Sequence, residues 1–437
     1  MRATLYARLS VPGAAATGHR RSANLDVVRA VAALMVLAAH AVVLSVGSTD
    51  ARLPRLAGDT AAFLSNGVWL FFALSGYLIA GPFLRALAEG RQQPSPRSYA
   101  LRRAARILPA YWIALVAVLV LATGSALQHW WQLPAHGLLL QDLFRGEQNR
   151  FLFVAWTLSV EAMFYAFVPL AAWLAWRAAG RRALSVATLA KGLLAIWAAS
   201  VAWRIGLSWI VTPHALLRGT VPWSLEVLRW LLPTFLCSFA PGALIFLAET
   251  SGKAERGRGW DAYRRARRHP LVLFALAITL GMAFTAISQR GGRWFDIGTT
   301  MVALPAALGV IAMVGDSPRK AALGRLLGPI GLISYGIYLW HAVIRDVIER
   351  HGFAHVPAAG AGLHAWPLHA LFLAFLTIPV ALASWVAVER PLLRLTTNWD
   401  RARGGPRPGP RLRRARWRTV VPPDPEPAAS FGTPTTP

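Results

Sequence analysis

Blocks at 24–46, 61–82, 107–127, 151–176, 186–211, 228–248, 270–289, 296–314, 329–349 and 368–388 are apolar over about twenty residues apiece, the length of helix that crosses the ~30 Å hydrocarbon core of a bilayer. That repetition leaves few folds open. Inside lipid the backbone must satisfy its own hydrogen bonds, so a chain built from such blocks folds as membrane-spanning helices. Composition agrees: mean hydropathy is +0.44 and 15% of residues are charged, against about 25% in soluble domains. Bulk disorder, collagen and a small disulfide scaffold are excluded, and the single cysteine, Cys237, has no intrachain disulfide partner. The expected fold is all-α: a polytopic membrane protein of about ten transmembrane helices.

The formal charge of +27 points either to nucleic acid or to loops beside an anionic leaflet. Position decides. Numbered in turn, one set of loops takes Arg20 and Arg21, then Arg85, Arg91, Arg97, Arg102, Arg103 and Arg106, then Arg177, Arg181 and Arg182, then 253–268, 319–325 and the C-terminal tail. The other set holds scattered residues such as Arg145, Arg218 and Arg290. The positive-inside rule then puts both termini in the cytosol, which an even number of spans satisfies, and no nucleic-acid partner is needed. Residues 1–23 lack a continuous apolar h-region and read as a cytosolic lead-in. Residues 24–396 form the membrane domain. From 397 to 437 the chain is polybasic and Pro-rich and reads as a disordered cytosolic tail at the membrane surface. The stretch 128–150 suits a short interfacial helix.

Ionisable groups within a span cost several kcal/mol, so each is a functional hypothesis. In the first block Arg29 and His40 stand eleven residues apart, about 20° apart around a helix and about 16 Å along it. They share a face and cannot touch, yet one long ligand reaches both. Asp26, three residues before Arg29, can hold the guanidinium. The plainer alternative is a snorkelling arginine and a satisfied core histidine. Ser75-Gly76 closes the second block and suits close helix packing, and Ser75 lacks the Gly-x-Ser elbow of a hydrolase. Arg103 and Arg106 lie one turn apart and either grip a phosphate together or anchor the third helix at the interface. Glu161, in the fourth block, needs a partner or a proton, with His40, Arg204 and Arg229 as candidate cations. Ser334, Tyr338, His341 and Arg345 make one polar stripe down the ninth helix, which belongs against a cavity rather than lipid. No histidine or carboxylate spacing suggests a metal site.

Taken in order, Leu25-Asp26 through Arg29 and His40, Phe72 to Ile79, Arg103 to Trp112, Trp156 to Pro169, Ser334 to His341 and Ser384 to Leu395 resemble the acyltransferase family 3 membrane proteins. These are bacterial O-acyltransferases of O-antigens, exopolysaccharides and macrolides. The resemblance implies a multi-pass protein of the bacterial plasma (inner) membrane. It implies transfer of an acyl group, acetyl foremost, from cytosolic acyl-CoA to a hydroxyl of a carbohydrate or glycosylated metabolite. Acyl-CoA is then a donor substrate, and no cofactor is permanently bound. It makes Arg29 and His40 the essential pair and Arg103 with Arg106 the donor-binding pair; guanidinium forks match phosphate, so Arg102 and Arg29 are expected to join that pair on the coenzyme. In the mechanism expected here His40 is the general base, and Glu161 or Tyr338 orients it. Ser75, Trp156, Tyr338 and His341 line the substrate cavity. The competing class is a glycan or small-molecule transporter or flippase, which commonly shows inverted repeats with helices broken at matching places. The two halves of this sequence show no such pairing.

Overall fold

The computed structural model describes residues 23–46, 55–121, 127–218, 221–251, 258–314, 318–351 and 366–402. The expected lead-in, apart from Ala23, and the tail beyond 402 lie outside them. The described residues are helical with no strand. Among the described residues eight helices are long and apolar enough to cross a membrane, and a bent pair supplies a ninth candidate span.

The first span is α1 (Ala23–Val46). The second comprises α2 (Arg55–Ser65) and α3 (Gly67–Ala88), separated by the single residue Asn66. α4 (Pro96–Leu121) follows, then a short α5 (Gln132–Gly137) where an interfacial helix is expected. Next come α6 (Ala155–Ala178), α7 (Val186–Arg218), α8 (Trp223–Trp230), α9 (Leu236–Ser251) and α10 (Arg258–Ala266). The remainder comprises α11 (Pro270–Ser288), α12 (Arg293–Met301), α13 (Ala303–Met313), α14 (Pro318–Leu332), α15 (Ser334–Arg350), α16 (Trp366–Ser384) and α17 (Arg390–Ala402).

Four of the expected blocks are interrupted: 61–82 at Asn66 and 296–314 at Val302 by a single residue each, and 228–248 and 329–349 more deeply. Block 228–248 divides at a short 3₁₀ turn, Leu232–Thr234, around Pro233, whose ring lacks the N–H a continuous helix needs. The helix after this turn, α9, has 16 residues, about 24 Å and shorter than the hydrocarbon core. Block 329–349 falls on the second half of a pair bent by 52° at Ile333, which turns α15 away from α14 and begins the polar stripe at the bend. At the C-terminal end α17 stays helical through Ala402, so the first residues expected in the tail are ordered, and Arg97 stacks 5.4 Å over Trp399.

α1 and α3 are mostly buried among their neighbours, whereas α7 and α11 lie at the rim. The contact of α3 with α9 depends on two glycines. A Cβ on Gly76 would stand 1.9 Å from the Phe239 carbonyl oxygen, and one on Gly242 1.7 Å from that of Ala73. Nothing larger than hydrogen fits at either place. Beside them Phe239 stacks on Phe72 at 4.6 Å and on Phe164 at 4.0 Å, which ties α6 to the same seam. Polar ties are few and specific. Ser45 meets His369 Nδ1 at 2.6 Å between α1 and α16, and Asp296 on α12 takes Arg204 at 3.5 Å and Arg229 at 3.3 Å.

The segment between α4 and α6 is a capped loop. Tyr111 donates to the His136 carbonyl at 2.8 Å, and Glu147 accepts from Gln132 at 2.9 Å and lies 3.0 Å from His136. Asp142 is buried there, with no hydrogen-bond partner on either carboxylate oxygen among the described residues. Burial pushes its carboxyl from 3.8 up to about 8.

Two stability measurements test this packing. Gly242→Ala is expected to lower stability by about 1–3 kcal/mol through overpacking. Gly206→Ala, where nothing stands within 4 Å of the added methyl, gains up to about 1 kcal/mol of helix propensity. Thermal melts in detergent compare them, and equal melting temperatures would remove the close α3–α9 approach. The folded protein holds the Asp142 proton more tightly than the unfolded chain. Stability from this site is therefore full at low pH and is lost as pH rises from about 4 through about 8. Asp142→Asn should flatten the fall in melting temperature between pH 5 and 8.5, and an unaltered slope would count against a buried proton.

Candidate active site

A cavity enclosing about 730 Å³ of empty space, counting the part open to solvent, runs between α1, α3, α4, α6 and α15. Four ionisable side chains besides tyrosines line it: Arg29 from α1, Arg103 and Arg106 from α4, and Glu161 from α6. Three guanidiniums against one carboxylate make it electropositive. The helices deliver them by register, since Arg103 and Arg106 are one turn apart on α4 and Arg29 is held at 3.1 Å by Asp26, three residues back on α1.

Glu161 is satisfied by hydroxyls rather than by a cation. Ser75 donates to one carboxylate oxygen at 2.5 Å and Tyr165 to the other at 2.9 Å. Of the cations expected to meet it, Arg204 and Arg229 pair with Asp296 instead. Arg103 lies between two tyrosine rings, 5.6 Å from Tyr99 and 5.5 Å from Tyr165, and no carboxylate stands within 4 Å of it among the described residues. Its charge is held by aromatic faces and stays available to an anion. Arg106 lies 5.9 Å over Trp385, and Tyr335 bonds the Ile107 carbonyl at 2.8 Å, which fastens α15 to α4.

At the far end of the cavity Tyr338 and Thr157 share a 2.7 Å hydroxyl contact, and both bond the Val154 carbonyl. The cavity stops there. His40 is not in its wall, so the face shared by Arg29 and His40 does not open as one continuous slot. One turn beyond Tyr338, whose ring is 5.9 Å away, stands His341, fully buried, with Nε2 3.2 Å from His40 Nδ1. His40 itself is half-buried, packed at 4.8 Å on Phe153, which carries the Arg345 guanidinium at 4.9 Å above it. Arg345 is held in turn by two bonds to Glu349, at 2.6 and 2.9 Å.

The backbone decides where the imidazole protons sit. His40 Nδ1 is 2.8 Å from the Val36 carbonyl and His341 Nδ1 is 3.0 Å from the Ile337 carbonyl. A carbonyl only accepts, so each Nδ1 carries the hydrogen. The bare Nε2 of His341 then faces the His40 Nδ1–H, and His40 Nε2 keeps a free lone pair. The Val36 carbonyl and His341 therefore orient the His40 ring, in place of the Glu161 or Tyr338 expected from sequence.

Of the expected site residues, Arg29, Arg103, Arg106, Ser75, Glu161 and Tyr338 meet in the cavity, and His40 and His341 meet beyond it. Arg102 and Trp156 stand apart. Arg102 bonds Ser98, one turn back on α4. Trp156 packs behind the wall on Phe72, Trp230 and Phe235, at 6.4, 5.4 and 5.8 Å. Residues the sequence pattern did not single out include Tyr165, visible in principle as i+4 to Glu161 on one helix face. Thr157 and Phe153 carried no such signal, because only the fold brings their segment against α1 and α15.

A many-helix membrane protein with a basic cavity ending one helical turn from an imidazole pair has the parts of a membrane-embedded transferase of activated groups. Comparison makes the class specific. The acyltransferase domain of acyltransferase family 3 matches residues 22–386, and the chain belongs to that family. Among its relatives, the exopolysaccharide production protein ExoZ of Rhizobium meliloti (strain 1021) is 26% identical over 347 residues, 75% of this chain and 89% of the relative. Nodulation protein 10 of Rhizobium leguminosarum bv. viciae is 27% identical over 414 residues, 87% and 95% of the two chains. No solved structure matches.

Selective ¹⁵N-histidine labelling tests the tautomers at neutral pH. The resonances that vanish in His40→Ala and in His341→Ala should each report a protonated Nδ1 and a bare Nε2. A protonated Nε2 on neutral His40 would remove the free lone pair.

Proposed function

We propose that this membrane acyltransferase takes an acyl group, acetyl foremost, from cytosolic acyl-CoA and places it on a hydroxyl of a carbohydrate or glycosylated metabolite at the bacterial inner membrane, with both termini cytosolic. The observation that carries the reading is the electropositive cavity ending at Tyr338, one helical turn from the His40–His341 pair. Its basic end lies on the side where arginines crowd the loops. Guanidinium forks match phosphate oxygens, which suits Arg103, Arg106 and Arg29 to the phosphates of a coenzyme A donor. The pantetheine arm then runs down the cavity to Tyr338, and transfer requires the Tyr338–Thr157 contact to part so that the thioester meets His40, about 16 Å from Arg29 along the helix.

In this mechanism His40 Nε2 removes the proton of the acceptor hydroxyl as its oxygen attacks the thioester carbonyl. The C–O bond forms, the tetrahedral intermediate collapses with cleavage of the C–S bond, and the proton on His40 passes to the departing sulfur. The Nδ1–H bonds to Val36 and His341 stabilise the transient imidazolium, the part that a carboxylate plays in a serine–histidine–aspartate triad. Glu161, fixed by Ser75 and Tyr165, keeps the cavity from filling with positive charge alone.

Isolated membranes given radiolabelled acetyl-CoA provide the test. Label should move to a hydroxyl-bearing glycan or small molecule. His40→Ala should abolish transfer without loss of membrane expression, and Arg103→Ala should mainly raise the apparent KM for the donor. Turnover retained in His40→Ala would exclude the base role. An unchanged KM would remove the phosphate clamp, and accumulation of unmodified substrate across the membrane would favour a transporter.

A further inference from the structure

A second large cavity lies on the opposite side of the α3–α6 seam, enclosing about 930 Å³. Its walls come from α3 (Ala80 to Leu87), α6 (Phe164 to Ala175), the start of α7 with Leu184 just before it, and α9 (Leu236 to Ala243). Thr188 is its one hydroxyl-bearing wall residue, and every other is apolar. Thr188 and Gly192 are exposed at the rim, so the cavity is a groove open to the bilayer. The stacked Phe164 and Phe239 close the seam between it and the basic cavity.

Length and charge identify an occupant. From Phe164 to Ala175 the groove follows α6 for eleven residues, about 16 Å, which is close to the ~15 Å of one leaflet, half of a ~30 Å hydrocarbon core. At its basic-side end the segment joining Ala175 to Leu184 carries Arg177, Arg181 and Arg182, all exposed. Arg177 and Arg181 lie over the rings of Trp173 and Trp176, each at 5.3 Å, and no carboxylate stands within 4 Å of the three among the described residues. The Trp176 indole N–H beside them is buried with no acceptor.

We propose that this groove is a binding site for one anionic phospholipid of the inner leaflet, with an acyl chain along α6 and its phosphate on the Arg177–Arg182 segment. Clusters of arginine at the cytosolic edge of a membrane helix attract such headgroups. The proposal is independent of the acyl-transfer chemistry, because the seam separates the two cavities.

Native mass spectrometry of the full chain in detergent, with added phosphatidylglycerol or phosphatidylcholine of the same chain length, tests it. The wild type should retain one phosphatidylglycerol with at least about tenfold preference, and replacing all three arginines by glutamine should abolish that preference. Gly192→Phe, which fills space where nothing lies within 4 Å of a Cβ, should cut retention of both lipids about tenfold. Gly192→Leu serves the same purpose if the larger ring prevents folding, and Gly192→Ala should bind as wild type does. Equal retention of the two lipids by the wild type would overturn the headgroup assignment, and undiminished binding in the groove-filling variant would overturn the tail assignment. One-for-one displacement of phosphatidylglycerol by palmitoyl-CoA would give the groove to the donor's chain instead and defeat the proposal.

Discussion

Hydrocarbon offers no hydrogen bonds, and the placement of the charged side chains within the described spans reflects that. A guanidinium, carboxylate or imidazole inside a span must find its partner on another helix, on its own backbone or in a cavity. Each solution is present. Arg29 is held by Asp26 on its own helix, Asp296 collects Arg204 and Arg229 from two others, and Glu161 accepts the hydroxyls of Ser75 and Tyr165. Arg103 has aromatic faces on both sides. The remainder after this pairing is functional capacity: positive charge in the cavity and one imidazole nitrogen with a free lone pair.

The histidine pair shows how backbone geometry becomes reactivity. A helical carbonyl four residues back accepts from each Nδ1, so the tautomer of both rings is set by α1 and α15 themselves. The Val36 carbonyl and His341, rather than a carboxylate, orient the His40 ring, which matters in a low dielectric where a second buried charge is expensive. The neutral His341 ring supplies an acceptor without importing that charge. Phe153, Arg345 and Glu349 cover the pair from the side away from the basic cavity, so His40 lies between two chemically different environments.

Close packing makes this arrangement rigid. The backbones of α3 and α9 touch at Gly76 and Gly242 because no side chain intervenes, and the Phe72–Phe239–Phe164 stack fills the space beside them. Ser75 projects from the same turn as Gly76. One residue of the pair brings α9 close while its neighbour reaches across to α6 and Glu161. The short length of α9 and the turn at Pro233 place it against α3 over part of the membrane depth, leaving the apolar groove between α3, α6, α7 and α9.

The sequence by itself determined the all-helical membrane architecture, the positions of most spans, the Asp26–Arg29 relation and the arginine turn on α4. Each rests on local periodicity or on a length fixed by the bilayer, and both are written in consecutive residues. The break at Pro233 and the bend at Ile333 were hidden inside blocks whose hydropathy alone reads as continuous. Tertiary structure alone decided that Glu161 faces Ser75 rather than a cation, that Trp156 stands behind the wall and Arg102 apart from it, and that His341 and not Glu161 meets His40. Residues 40 and 341 lie 301 positions apart, and their rings meet only because α15 leaves the bend at Ile333 on a course beside α1. Helix register can be counted along a chain, but contact between helices depends on crossing geometry and on which side chains are small enough to let them approach.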